Sequence, residues 1–290
     1  MPDRTVHARA HAKVNLALSV GPALDAGPCA GMHPVASWMH AVDLCDDLTL
    51  RVASATAYDL AWADGPPLGW AAESDLCVRA HRAVERLAGR DLPVSLTLRK
   101  RVPDGGGLGG GSADAAGVLL GLRDLFALDL SDRALWDAAR ALGSDVAFFL
   151  DPLAWQAEQP PRPAVVTGLG EQVERTDRLS APVTLVCPPF GCPTGRVYAA
   201  FDAAGASAGP DEARVRRLAA AGRPEGLFND LTPAAEAVEP RVGALRRALE
   251  AALGAPVHLS GSGSTLFCFE DAERVGAHAP GCRVIAARLV

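Results

Sequence analysis

Pro103-Asp104-Gly105-Gly106-Gly107-Leu108-Gly109-Gly110-Gly111-Ser112 is the stretch on which the reading of this chain turns, with six glycines in the seven positions from 105 to 111. Ahead of it, Val94, Leu96 and Leu98 alternate with polar residues and predict a strand; behind it, Ser112 and Asp114 open a predicted helix through Phe126. Glycines let backbone amides come close to an anion, and a helix start adds free N–H groups and the positive end of its dipole. A strand, a glycine loop and a helix in this order suit a di- or triphosphate. A flexible turn is the plain alternative, but ordering six glycines is costly in entropy when nothing is held.

What the loop lacks narrows its type. The Walker form requires a lysine after the last glycine, and here Ser112 follows Gly111 directly. Gly105-x-Gly107-x-x-Gly110 fits the spacing of a dinucleotide fingerprint, which also needs a carboxylate closing a second strand about 20 residues on. Asp129 stands near that spacing, between two predicted helices rather than at a strand end.

The run resembles P-x-G-x-G-L-G-[GS]-[GS]-S-[SA], the phosphate loop of the GHMP kinase superfamily, which includes galactokinase, homoserine kinase and mevalonate kinase. Other segments extend the resemblance over about residues 8–270. Ala12-Lys13-Val14-Asn15-Leu16-Ala17-Leu18 is similar to the A-K-[VIL]-N-L-x-L motif of the 4-diphosphocytidyl-2-C-methyl-D-erythritol kinase family. Gly31-Met32-His33-Pro34-Val35 resembles that family's G-Y-H-[ED]-L segment, with Met32 where the family stacks a tyrosine on cytosine. Tyr198, in Thr194-Gly195-Arg196-Val197-Tyr198, matches a second aromatic of the family's base pocket. Gly143-Ser144-Asp145-Val146-Ala147-Phe148-Phe149 resembles G-A-D-V-P-F-F, and Leu259-Ser260-Gly261-Ser262-Gly263-Ser264-Thr265-Leu266-Phe267 resembles the superfamily's third motif. Phe228-Asn229-Asp230-Leu231 and Gly168-Leu169-Gly170-Glu171 are fainter echoes.

The resemblance implies an α+β, two-domain GHMP kinase fold. A ribosomal-protein-S5-domain-2-like N-terminal domain would hold ATP at 1–160, and a ferredoxin-like C-terminal domain would occupy 161–290. It further implies ATP-dependent phosphorylation of the 2-hydroxyl of 4-diphosphocytidyl-2-C-methyl-D-erythritol, in the non-mevalonate isoprenoid route. Asp145 would be the base that accepts the hydroxyl proton, and Lys13 the catalytic cation that orients it. ATP would lie on Lys100, Pro103, Asp104, Gly105, Gly106, Gly107, Leu108, Gly109, Gly110, Gly111, Ser112 and Asp114, with Ser112 also holding Mg2+. The substrate, carrying a cytidine diphosphate moiety, would meet Asn15, Met32, His33, Asp145, Thr194, Tyr198, Gly261, Ser262 and Gly263. Taken singly, these residues keep blander readings: Lys13 a snorkelling strand residue, His33 a surface histidine, Asp145 a cap or turn residue, Tyr198 a helix residue, Ser260–Ser264 a hairpin turn. A homoserine or mevalonate kinase, or a nucleotide-binding protein of the same fold without catalysis, are the rival readings.

Composition agrees. With 290 residues, 49% hydrophobic and 21% charged, the chain can bury a large core. A net charge of −6 speaks against nucleic acid or an anionic membrane as partner. No apolar run nears the roughly 18–20 residues of a span, and the N-terminus lacks the apolar core of a secretory signal. A cytoplasmic monomer or homodimer is expected. The seven cysteines are scattered without a C-x-x-C pair and read as reduced, mostly buried thiols. Only Lys13 and Lys100 among the 28 basic residues are lysine; in an arginine-rich chain this suggests that a compact ammonium is wanted there.

Strands are further expected at 5–20, 47–53, 183–187, 255–259, 264–269 and 283–289, and helices at 132–142, 211–221 and 240–253. Ser74 or Asp75 should cap a helix to Ala88, ended by Gly89, with Leu76, Ala80, Ala83, Val84 and Leu87 as its apolar stripe. Residues 55–70 read as a hairpin region, and proline-rich 151–163 as a linker near a domain boundary.

Overall fold

The computed structural model describes residues 4–205 and 209–290. The chain forms two compact units interleaved in sequence: one holds the residues up to Ala12, Leu44–Val102 and Gly109–Pro161, the other Lys13–Asp43, Pro103–Leu108 and Arg162–Val290. The expected two-part α+β organisation is present, but the chain passes between the units four times before settling after Pro161.

The first unit contains the opening half of β1 (Thr5–Val20), the closing part of β2 (Val35–Val52), β3 (Ala57–Trp62), α1 (Leu76–Ala88), β4 (Val94–Lys100), α2 (Gly110–Leu125), α3 (Asp132–Leu142), α4 (Val146–Phe149) and α5 (Pro152–Gln156). Its strands run in the order β3-β4-β2-β1, with β4 antiparallel to β2 and parallel to β3. In β4 every second residue, from Val94 through Lys100, is buried, the alternation the sequence announced. Helix α2 lies tightly on β2 through glycines four residues apart: a Cβ on Gly117 would stand 3.0 Å from Leu48, and one on Gly121 2.6 Å from Leu50.

Several sequence expectations shift in detail. Helix α2 starts at Gly110, because Gly109 takes the left-handed φ of 69° as its N-cap. Asp75 caps α1 through Cys77 N, and left-handed Gly89 ends it, but Leu87 is exposed and the buried face includes Cys77, Val78 and His81. Residues 151–163 are not simply a linker: Asp151 caps α5, whose first residue is Pro152.

The second unit takes the remainder of β1 and β2 and adds β5 (Ala164–Gly168), β6 (Gln172–Arg175), β7 (Pro182–Cys187), α6 (Thr194–Ala203), α7 (Glu212–Ala221), β8 (Phe228–Asn229), α8 (Thr232–Val238), α9 (Pro240–Leu253), β9 (His258–Leu259), β10 (Leu266–Cys268), α10 (Ala272–Gly276) and β11 (Arg283–Arg288). One sheet here follows β6-β5-β2-β1-β8; the other is the antiparallel set β11-β7-β10-β9. Leu18, Val186, Val197, Leu231, Leu249 and Leu266 belong to one buried apolar cluster that joins both sheets to the helices. Beginning β2 at Val35 and finding a β5–β6 hairpin are departures from expectation; both segments have apolar residues but weak alternation. Cys77, Cys187, Cys192 and Cys268 are buried free thiols, and burial pushes all four above the usual thiol range. No helix of the described residues is long and apolar enough to cross a membrane.

One buried polar link has a pH consequence. His40 Nδ1 donates to the Ala41 carbonyl at 2.9 Å, and Leu179 N donates to Nε2 at 2.9 Å, so the ring must be neutral to make both bonds. Burial, against the Ala41 bond and aided by Arg178, lowers its pKa to about 4. The unfolded ring protonates near pH 6.5 while the folded ring does not until about 4, so stability is full above 6.5 and falls through that window, by about 3 kcal/mol. His258, also lowered to about 4 by burial, adds a loss of the same sign. Urea unfolding followed from pH 7 to 4 should show this decline, and His40→Gln should flatten it; an unchanged slope would refute the assignment.

Candidate active site

The glycine loop is stemmed in the first unit by a buried ion cluster. Lys100, at the end of β4, donates to Asp46 Oδ2 at 2.6 Å and to Asp114 Oδ2, in α2, at 2.7 Å. The other Asp46 oxygen accepts the amides of Arg101 and Val102, the latter at 2.8 Å, and so fixes the two residues that lead into Pro103. Gly110 sits against Val102, whose Cγ1 would be 2.8 Å from an added Cβ. One cation thus ties β2, β4 and α2 together beneath the loop.

Lys100 is only 4% exposed and Asp114 2%, which places both under the stems rather than on the surface expected to meet ATP. Burial works to lower the Lys100 pKa, but Asp114 and Asp46 outweigh it and hold it above the usual lysine range. Asp114 is pushed up, first by burial and then by Asp46, against the pull of Lys100. One ammonium shared by two carboxylates accounts for both directions, and Asp114 Oδ1 has no hydrogen-bond partner. Asp75 is likewise occupied: Oδ1 caps α1 and Oδ2 accepts the Trp70 indole N–H at 2.9 Å.

In the second unit three segments far apart in sequence meet. Lys13 Nζ donates to Asn15 Oδ1 at 2.6 Å and to the Gly107 carbonyl at 2.9 Å. Asn15 in turn donates to Ser37 Oγ at 2.8 Å, and Ser37 donates to the Ala17 carbonyl at 2.8 Å, which fixes the amide's orientation. Ser260 Oγ donates to the same Gly107 carbonyl at 3.0 Å. The approach is too close for a side chain: a Cβ on Gly107 would lie 2.1 Å from the Ser260 carbonyl oxygen, and φ there is +78°. Gly106 has the same constraint, 2.5 Å from Thr265 Oγ1, and its carbonyl accepts from Thr265 N at 3.2 Å. Left-handed Gly261 stands beside Asn15 and Lys13 at 3.3 and 3.5 Å from a built Cβ.

Asn229 completes this arrangement, donating to the carbonyls of Leu259 and Gly261 at 2.9 and 2.7 Å. The Phe228–Leu231 echo in the sequence was the signal for it. Thr194 Oγ1 and Ser262 Oγ lie 2.9 Å apart, so the start of α6 is tied to the same loop. Leu108 is buried and anchors the run, while Asp104 and Gly105 are exposed at its tip. A cavity of about 230 Å³ opens beside Pro103, Asp104 and Gly106, walled by Phe190, Ser264 and Thr265.

His33 and Tyr198 also come together, with ring centroids 4.7 Å apart, whereas Met32 is exposed. The bonds Gly21 N to Pro34 O and Leu24 N to Met32 O, 2.8 and 2.9 Å, close the loop that carries His33. Asp145 lies in the turn before the buried helix α4, at its N-cap position but without a side-chain cap bond, and Val146 to Phe149 are all interior. Ser112 lies half-buried in the first turn of α2. Among the described residues no three His, Cys, Asp or Glu side chains cluster as a metal cage. A Mg2+ ion bound chiefly by phosphates and water does not need one, and a single hydroxyl such as that of Ser112 fits that mode.

Comparison with known proteins converges on one group. The family model "GHMP kinases N terminal domain" matches residues 75–151. A 4-diphosphocytidyl-2-C-methyl-D-erythritol kinase from Caulobacter vibrioides is 38% identical over 282 residues, covering 92% of this chain and 91% of the relative. One from Citrifermentans bemidjiense is 32% identical, with 93% and 91% covered. The crystal structure of a 4-(cytidine 5'-diphospho)-2C-methyl-D-erythritol kinase superposes with a TM-score of 0.77 at 30% identity, over 98% of this chain and 99% of that one. A mevalonate kinase from L. major, solved with R-mevalonate, has a TM-score of 0.67 at 14% identity over 99% and 96%, a likeness of fold alone.

Two substitutions test the geometry. Gly107→Ala must displace the Ser260 carbonyl and should cost about 3 kcal/mol or more, read by urea denaturation. Lys100→Met leaves two buried carboxylates without their cation and should cost about 3–5 kcal/mol. Adding Asp46→Asn should recover part of the second loss; no recovery would mean that Lys100 acts by packing alone.

Proposed function

Because this chain belongs to the 4-diphosphocytidyl-2-C-methyl-D-erythritol kinase family of GHMP kinases, we infer that it phosphorylates the 2-hydroxyl of 4-diphosphocytidyl-2-C-methyl-D-erythritol. ATP is the donor, the 2-phosphate and ADP are the products, and the step belongs to the non-mevalonate route to isoprenoid precursors. The observation that carries the reading is the meeting of Lys13, Asn15, Gly106–Gly107 and Ser260–Gly261 in one unit. Those are the three motifs by which the superfamily is recognised, and nothing in the sequence spacing alone would bring them together.

The division of labour follows from the chemistry. Phosphoryl transfer asks for positioning and charge stabilisation more than covalent help. The amides of Gly105–Ser112 hold the ATP phosphates, aided by the start of α2. Mg2+, held by the phosphates and Ser112, would neutralise charge on them. Asp145 receives the proton of the substrate hydroxyl, and Lys13 offsets charge building on the transferred group. Asn15, tied to Lys13 and Ser37, keeps the ammonium in place. Lys100 and Asp114 act from beneath by holding the stems of the loop. The cytidine diphosphate end of the substrate falls to Met32, His33, Thr194, Tyr198 and Gly261–Gly263. Residues 1–160 and 161–290 are the ATP-binding and C-terminal domains of this reading.

Asp145→Asn and Lys13→Ala should each lower turnover by orders of magnitude while ATP binding, followed by calorimetry, changes little. An Asp145→Asn enzyme that keeps most of its rate would remove the base from the scheme. A coupled assay of ADP release, offering the diphosphocytidyl substrate, homoserine and mevalonate in parallel, should respond to the first alone. ATP binding without ADP release from any of them would favour a non-catalytic nucleotide-binding protein.

A further inference from the structure

A chain of hydrogen bonds runs back from the Gly107 carbonyl into the sheet. Lys13 Nζ donates to that carbonyl at 2.9 Å and to Asn15 Oδ1 at 2.6 Å. Behind it Asn15 Nδ2 donates to Ser37 Oγ, and Ser37 Oγ donates to the Ala17 carbonyl, each at 2.8 Å. Both ends of the chain are backbone carbonyls, which can only accept, so the polarity of every bond between them is settled. Ser37 gives its one hydrogen to Ala17, and its oxygen then offers Asn15 lone pairs alone. The carboxamide answers with its amino group and turns its oxygen to the ammonium, which has only hydrogens to give. A flipped amide would set donors against donors at Lys13 and acceptors against acceptors at Ser37. Burial leaves little room for water to take over either role: Lys13 is 2% exposed, Asn15 3% and Ser37 0%. The loop carrying Ser260 and Gly261 closes over the pair, a Cβ built on Gly261 lying 3.3 Å from Asn15 Oδ1 and 3.5 Å from Lys13 Nζ.

We propose that Ser37 is a positioning residue for phosphoryl transfer: through Asn15 it sets the direction in which the Lys13 ammonium presents its charge. The proposal rests on the kinase reading given under the proposed function, in which Lys13 offsets charge on the transferred group. Asn15 and Gly107 take two of the three hydrogens of the ammonium, and tetrahedral geometry then fixes the direction of the third. Ser37 needs no contact with nucleotide or acceptor to have this effect. Its influence belongs in the rate rather than in affinity. A charge displaced by about 1 Å stabilises the transition state less, while the ground-state contacts of both substrates persist. Nothing local in the sequence marks the residue, which stands between Ala36 and Trp38 near the start of β2 and outside the motif runs.

The test compares the full chain with Ser37→Ala, Ser37→Thr, Asn15→Ala and the Asn15→Ala/Ser37→Ala double variant. Ser37→Ala should lower kcat by about 10- to 100-fold, with KM for ATP and for the diphosphocytidyl substrate nearly unchanged. Ser37→Thr keeps the hydroxyl and should return most of the rate. In the Asn15→Ala background, removing the hydroxyl should lower kcat no further, since Ser37 acts only through the carboxamide. A folded Ser37→Ala enzyme with wild-type kcat, a loss confined to KM, or the same fractional loss with and without Asn15 would overturn the proposal. A second readout needs no turnover. Lys13 and Lys100 are the only lysines, so isotope labelling of lysine Cε gives two NMR signals, assigned with Lys13→Ala. Ser37→Ala should move the Lys13 signal and leave that of Lys100 in place; movement of neither, or of both alike, would equally overturn the proposal. Should Ser37→Ala not fold, Ser37→Cys keeps nearly the same volume with a weaker acceptor, and the same changes are expected at smaller size. If the Lys13 signal moves but wild type releases no ADP with the diphosphocytidyl substrate, the positioning of the ammonium stands and the kinase reading falls.

Discussion

The carbonyl of Gly107 accepts from both the Lys13 ammonium and the Ser260 hydroxyl, at 2.9 and 3.0 Å. On that one acceptor depend the placement of the cation, the course of the glycine loop and the position of the third small-residue loop. The contact exists only because the residue is glycine: the Ser260 carbonyl occupies the space of a Cβ, and the φ of +78° suits no branched side chain. The glycines are therefore not all doing the same thing. Gly106 and Gly107 are required by neighbouring atoms, Gly109 by the left-handed cap that starts α2, and Gly110 by the closeness of Val102. Gly105, exposed at the tip, meets nothing within reach of a built Cβ, which leaves room for a ligand to come close to its backbone.

The two lysines occupy equivalent positions in this logic. Each is buried, and each makes at least two short bonds from a single nitrogen, among them Lys13 to an amide oxygen and a carbonyl, and Lys100 to two carboxylates. A compact ammonium directs its donors tetrahedrally from one point, whereas the planar fork of arginine spreads them over a wider front. A chain that uses arginine for its other 26 basic residues thus keeps lysine for two buried places that use a compact ammonium.

What could be read beforehand follows the range of the signal. The loop, Lys13 with Asn15 and the Ser260–Thr265 segment were legible because close backbone approach needs small residues in fixed order, a constraint written locally. The capped helix α1 and strand β4 were legible for the same reason, through Asp75, Gly89 and strict alternation. Asp46 was not, since nothing about an aspartate in a run of mixed residues says that it will accept the amides of Arg101 and Val102 more than 50 positions away. The β5–β6 hairpin was hidden by weak alternation, and its pairing with β2 is a long-range choice that no local pattern records.

The electrostatics close the argument. A chain of net charge −6 takes a polyanionic donor and, on the reading above, a diphosphate acceptor against its own overall charge. Part of its arginine is spent in pairs with carboxylates, half-buried as for Arg246 with Glu236 and Glu250, or exposed as for Arg216 with Glu174. Attraction is therefore short-ranged, supplied by oriented amides and one buried ammonium rather than by a broad positive field. Such a site binds a phosphate only when its shape lets the backbone come within hydrogen-bonding distance. A negative surface meanwhile disfavours nucleic acids and other bulk polyanions carrying the same groups. The acidic composition and the glycine loop are complementary: the one lowers non-specific affinity for phosphate, and the other restores it at a single place.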